Sequence, residues 1–102
     1  MHTLDRLGQT IAKRASADSE SSWTAKLLAK GPEKCAEKFG EEAVEAIIEA
    51  IKDDKAKLTS EAADVLFHLM VMLQSRGVAF DDVLKELERR EGTSGIVEKA
   101  SR

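Results

Sequence analysis

The stretch Glu41–Leu73, EEAVEAIIEAIKDDKAKLTSEAADVLFHLMVML, decides how this chain folds. Around a helical wheel, Phe39, Ala43, Val44, Ala46, Ile47, Ile48, Ala50 and Ile51 cover well over half the circumference. Lys38, Glu41, Glu42, Glu45 and Glu49 form the remaining polar strip. The second half is apolar almost throughout: Ala62, Ala63, Val65, Leu66, Phe67, Leu69, Met70, Val71, Met72 and Leu73. Only Glu61, Asp64 and His68 interrupt it, on one narrow face. A helix apolar nearly all round belongs inside a bundle. Asp53-Asp54-Lys55 reads as a polar loop, so the two halves are predicted to fold back as an antiparallel hairpin.

Outward from this hairpin the chain keeps reading as helix. Thr3–Lys13 places Leu4, Leu7 and Ile11 at helical spacing, and Ala15–Ser22 is polar and turn-like. Trp23–Ala29 is a short helix stopped by Gly31-Pro32, and Pro32 is well placed to open a helix over about Glu33–Lys52. The next helix is predicted from Leu58–Ser60 to Arg76, with Gly77 as a left-handed cap. Asp81 is expected to cap a last helix, Asp82–Arg90. The expected architecture is all-α, a bundle of four to five helices forming one domain over residues 1–91, with a C-terminal tail over 92–102. A chain of 102 residues has difficulty enclosing so apolar a central helix, so homodimerisation is expected to complete the bundle.

Composition agrees and excludes several functions. The chain is 42% hydrophobic and 34% charged but only 4% aromatic, a balance that suits helices rather than sheets. A net charge of −3 argues against a general nucleic-acid or anionic-membrane binder. The single Cys35 excludes an internal disulfide and a cysteine-based zinc cage. No signal peptide follows Met1, and the longest uncharged run, Val65–Ser75, is far short of the roughly 18–20 residues that span a bilayer. A cytoplasmic protein is expected. Gly31 and Gly40 are isolated, so there is no P-loop or dinucleotide fingerprint.

Glu42 and Glu45 lie three apart, as do Glu61 and Asp64, a spacing that makes neighbours on a helix surface. Glu45 lies eight residues before Asp53 and Glu61 eight after it, so a hairpin can bring the pairs together. Four converging carboxylates would repel one another, and a divalent cation would relieve that; an all-oxygen donor set suits Mg²⁺ or Mn²⁺. The alternative is an ordinary solvated helix face. Lys34 and Lys38 precede Glu42 on roughly its face and suit a polyphosphate, or else pair with Glu41 or Glu42 as salt bridges. Trp23 reads as a core residue before a base-stacking one, His68 as a bundle residue with a satisfied imidazole before a substrate-touching one, and Cys35 as a small buried hydrophobe. His2 offers no reading.

The run Glu41-Glu42-Ala43-Val44-Glu45 followed by Glu61-Ala62-Ala63-Asp64 resembles the EExxE…ExxD signature of the all-α, MazG-like nucleotide pyrophosphohydrolases. The segments Ser22-Trp23-Thr24, Gly31 to Glu42 (GPEKCAEKFGEE) and Glu61 to Leu69 (EAADVLFHL) resemble, more narrowly, the phosphoribosyl-ATP pyrophosphohydrolase family of histidine biosynthesis. The resemblance spans about Thr3 to Arg90. It implies a homodimeric helical bundle and Mg²⁺-dependent cleavage of phosphoribosyl-ATP to phosphoribosyl-AMP and pyrophosphate, with Mn²⁺ as a substitute. By position, it implies Glu42, Glu45, Glu61 and Asp64 as metal ligands and Glu41 as an outer ligand or water-orienting group. Glu41 or Glu45 would take the proton from water. Lys34 and Lys38 would contact phosphates, and Trp23 or Thr24 the nucleotide. Trp23 stands where Tyr is expected in many relatives, and Cys35 where an aliphatic residue is usual. The alternatives are a house-cleaning nucleoside triphosphate pyrophosphohydrolase on the same fold, and a non-enzymatic helical dimerisation module.

Overall fold

A computed structural model describes residues 2–17 and 22–91. The expected tail over 92–102, and part of the Ala15–Ser22 turn, lie outside the described residues. Those described contain five helices and no strand: α1 (Thr3–Arg14), α2 (Trp23–Ala29), α3 (Pro32–Ile51), α4 (Lys55–Ser75) and α5 (Phe80–Arg90).

Each boundary has a local chemical cause. His2, rather than Thr3 at the expected helix start, caps α1: its Nδ1 accepts from the Leu4 amide at 3.0 Å while Asp5 accepts from the His2 amide at 3.3 Å. Ser22 Oγ accepts from the Ala25 amide at 3.2 Å and opens α2. Gly31, at φ 97°, turns the chain so that Pro32 occupies the first turn of α3.

The turn between α3 and α4 is tighter than the sequence predicts. Asp53 adopts φ 58°, a left-handed conformation that aspartate tolerates better than most side chains. The Asp53 amide then donates to the Ala50 carbonyl and the Asp54 amide to the Glu49 carbonyl, both at 3.2 Å. Asp54 Oδ1 accepts from the Lys57 amide at 3.0 Å, so α4 begins at Lys55 rather than near Leu58. One aspartate ends a helix and the next begins another. Gly77, at φ 71°, closes α4 in the same manner, with the Val78 amide donating to the Leu73 carbonyl at 2.9 Å. The last helix also starts earlier than expected. Phe80 packs against the core and Ala79 precedes it without a side-chain cap, which puts Asp81 and Asp82 in the first turn, where they complement the helix dipole.

α3 and α4 pair as an antiparallel hairpin, α1 and α2 pack on α4, and α2 also touches α3. Their meeting point is the core: Ile11, Leu27, Cys35, Met70 and Val71, with Leu4, Leu7, Leu28, Phe67, Met72 and Phe80 around it. This core occupies one end of the hairpin only. Toward the Asp53 turn the apolar residues are bare: Val44, Ile47, Ile48, Ile51 and Leu66 are 41–79% exposed. One chain does not enclose α4, in keeping with the difficulty its short length implies: only His68, Met70 and Val71 are buried along it. Two short helices and α5 supply too little surface to cover both ends.

Because Leu27 is 1% exposed at the centre of this core, Leu27→Ala is expected to lower the unfolding free energy by about 2–5 kcal/mol in urea titrations followed by circular dichroism.

Candidate functional site

The turn at Asp53 sets the register of the hairpin, and the register assembles the site. Three pairs equidistant from Asp53 interact across the two helices: Glu45 with Glu61, Glu42 with Asp64, and Lys38 with His68. Successive rungs are about one helical turn, or 5.4 Å, apart. Glu42, Glu45 and Glu61 each offer a carboxylate oxygen within 4.8 Å of the others, the only such metal-competent group among the described residues. Asp64 falls outside that tight group, but its charge acts on both Glu42 and Glu61.

Electrostatics record this crowding. Burial, then the neighbouring Glu45 carboxylate and Asp64, raises Glu42 above the ordinary carboxyl value. Glu61 is raised by burial and by a hydrogen bond to Glu45, with Asp64 and Glu42 adding to the effect. Glu45 is thus the hub that both neighbours crowd. One oxygen of Glu61, Oε2, is sealed from solvent and has no hydrogen-bond partner. A buried carboxylate oxygen without a donor is costly, so the cluster is unfinished as a purely protein structure. All-oxygen donors, crowded negative charge and an orphaned oxygen together fit a hard divalent cation.

Lys38 sits beside this cluster and pairs with Glu41 at 2.9 Å. That hydrogen bond, with the charge behind it, holds Glu41 below the ordinary carboxyl value and Lys38 above the ordinary ammonium value. Glu41 is therefore turned toward Lys38 and stands apart from the carboxylate group. Lys34 bonds Glu37 at 3.3 Å, rather than Glu41 or Glu42 as the salt-bridge reading expected; each lysine takes the acid three residues on. Glu49 continues the acidic strip, but its Oε1 lies 3.6 Å from Lys52 and it stays outside the cluster.

Two sequence readings are corrected here. Trp23 is not a core residue of the single chain: it is 55% exposed, because α2 turns Thr24, Ala25 and Leu27 inward instead. Thr24, 3% exposed, is correspondingly buried. His68 is buried in the bundle as expected, but its imidazole is not satisfied: Nδ1 is sealed and without a partner. No residue pattern could have disclosed that, since it depends on what surrounds one ring nitrogen. Cys35 is a buried hydrophobe as read, its Sγ donating to the Leu27 carbonyl at 3.6 Å.

A family model of phosphoribosyl-ATP pyrophosphohydrolase matches residues 4–91. Among curated relatives, a phosphoribosyl-ATP pyrophosphatase of Dinoroseobacter shibae is 76% identical over 102 residues, covering all of both chains. That of Paracoccus denitrificans is 74% identical over 99 residues, 97% of this chain and 92% of its own. That of Ruegeria pomeroyi is 69% identical over 102 residues, all of this chain and 97% of its own. The matched span contains both carboxylate-bearing helices and every residue of the cluster. The chain belongs to the phosphoribosyl-ATP pyrophosphohydrolase family.

Proposed function

We propose that this enzyme hydrolyses the α–β phosphoanhydride of phosphoribosyl-ATP, releasing pyrophosphate and phosphoribosyl-AMP in the second step of histidine biosynthesis. Family membership and the names of full-length relatives support the reaction. The observation that carries the chemistry is the gathering of Glu42, Glu45 and Glu61 within 4.8 Å across a hairpin, with a sealed oxygen left unpartnered. Glu42, Glu45, Glu61 and Asp64 would hold Mg²⁺, with Mn²⁺ as a substitute. When bound, the cation supplies charge neutralisation to the triphosphate and acidifies water.

The protein's own groups then divide the work. Glu45, exposed at the hub of the cluster, accepts the proton of the attacking water. Glu41, kept ionised and made a weaker base by Lys38, orients that water instead. Lys34 and Lys38 bind phosphate oxygens and offset the charge that builds on departing pyrophosphate. The exposed Trp23 ring provides a stacking face for the nucleotide, anchored by the buried Thr24 beside it.

A second copy of the chain belongs to this reading. The bare strip of Val44, Ile47, Ile48, Ile51 and Leu66 lies on the two helices that carry the carboxylates, and its pairing with the same strip of another copy would enclose α4. Residues 1–91 form the functional domain, with 92–102 as a tail. No helix among the described residues is long and apolar enough to cross a membrane, and a freely diffusing nucleotide substrate suits the cytoplasm.

Pyrophosphate release from phosphoribosyl-ATP, compared with dATP, dCTP and dUTP, tests the assignment; high kcat/KM is expected for phosphoribosyl-ATP alone. Glu45→Ala or Asp64→Ala is expected to cut kcat by at least about a hundredfold while far-UV circular dichroism stays unchanged. Mg²⁺ is expected to stabilise the protein, by about 2.7 kcal/mol when present at a hundred times its dissociation constant. Glu42 and Glu61 have folded-state pKa values above the ordinary 4.5. The cation-free protein therefore loses stability as pH rises from 4.5 through those raised values. Both groups must ionise to bind the ion, so the Mg²⁺-induced rise in Tm is expected to grow over the same window. Ile47→Glu, introduced at a position 57% exposed in one chain, is expected to convert a dimer to monomer in light-scattering measurements without unfolding the core.

A further inference from the structure

The third rung of the hairpin is chemically unlike the other two. Glu45 acts on Glu61 and Asp64 on Glu42, acid against acid, whereas Lys38 acts on His68. His68 is 7% exposed, its ring is set edge-on against Phe67 at 5.1 Å, and its Nδ1 is sealed with no partner. The charged groups acting on it are Lys38 and Glu41 from α3 and Asp64 one turn earlier on α4. All three border the carboxylate cluster. A ring that only filled space here would be better replaced by a hydrocarbon, since an unpaired buried nitrogen destabilises the fold.

The sealed nitrogen dictates what the ring can do. An N–H enclosed without an acceptor is rarer in folded proteins than an unpaired acceptor, so the neutral ring carries its proton on the other nitrogen, Nε2. Burial, followed by the Lys38 charge, holds His68 below the ordinary imidazole value, which keeps it neutral. Of the two nitrogens only Nδ1 is sealed. Nε2–H is left as an uncharged donor, one turn from Asp64 and across from Lys38.

We propose that His68 is a substrate-contacting residue whose Nε2–H donates to a non-bridging oxygen of the polyphosphate, beside the Lys38 ammonium and one rung beyond the carboxylate cluster. The proposal rests on the reading of this face as a polyphosphate site. From Glu45–Glu61 to Lys38–His68 is about two helical turns, or 11 Å, enough for a phosphate chain to lie along the hairpin. The acidic rungs hold its cation-bearing portion and the Lys38–His68 rung its bare anionic end. A neutral donor suits that end, because it binds an oxygen without repelling Lys38.

The test compares His68→Leu, His68→Gln and His68→Asn. The Gln amide nitrogen reaches roughly the position of Nε2, while that of Asn reaches only that of Nδ1. For His68→Leu, Tm is expected to hold or rise, while KM for phosphoribosyl-ATP rises about ten- to a hundredfold and kcat falls less. His68→Gln should recover KM to within a fewfold, and His68→Asn should not. Calorimetric binding of inorganic pyrophosphate with Mg²⁺ should weaken in the same order. A folded His68→Leu with unchanged KM and unchanged pyrophosphate affinity would overturn the proposal and leave the assigned reaction standing. If His68→Leu does not fold, equal recovery by Gln and Asn would overturn it. If the wild type fails to hydrolyse phosphoribosyl-ATP, the functional reading falls, and the pyrophosphate titrations alone decide the role of His68.

Discussion

Two consecutive aspartates govern this molecule. Asp53 accepts a left-handed backbone so that α3 can end, and Asp54 caps α4 with its side chain. Because the turn consumes so few residues, the helices have no slack to slide, and Glu45 is held near Glu61, Glu42 near Asp64 and Lys38 near His68. A slip of one residue in this turn would rotate α4 by 100° and carry Glu61, Asp64 and His68 off the shared face. The carboxylate cluster is thus a product of turn geometry as much as of the acidic residues themselves. Neither aspartate touches the cluster, yet both determine that it exists.

Packing and charge are divided along the length of the hairpin. At the end remote from the turn, Ile11, Leu27, Cys35, Met70 and Val71 make a conventional apolar core that fixes the helices. Toward the turn the same two helices present carboxylates on one face and bare isoleucines on another. The core provides rigidity, while the turn-proximal half carries like charges that work against compactness. Such an arrangement separates stability from function in space, so that electrostatic strain at the cluster does not have to be absorbed by the packing beside it.

Most of this was legible in the residues. The 3.6-residue periodicity of Phe39–Ile51 and the near-continuous apolar run of Ala62–Leu73 gave two long helices, and the equal offsets of Glu45 and Glu61 from Asp53 brought the acids together. Less visible were effects that depend on surroundings. His2 as a cap requires a side chain folded back onto an amide. The outward turn of Trp23 follows from α2 presenting Thr24, Ala25 and Leu27 inward, a choice made by tertiary packing rather than by any pattern within seven residues. The early start of α5 reflects Phe80 docking on the core, which outweighs the capping preference of Asp81. The unmet Nδ1 of His68 is invisible to periodicity altogether.

The single thiol of the chain lies at the heart of the apolar end, fully enclosed, with its pKa raised by burial. A thiol in that position is shielded from alkylating reagents and oxidants for as long as α2, α3 and α4 stay packed around it. Its modification requires the bundle to come apart locally or globally, so the speed of its capture by a fast electrophile is a clock for opening. The protein carries a built-in reporter of its own breathing, seated in the core at the end of the hairpin away from the Asp53 turn.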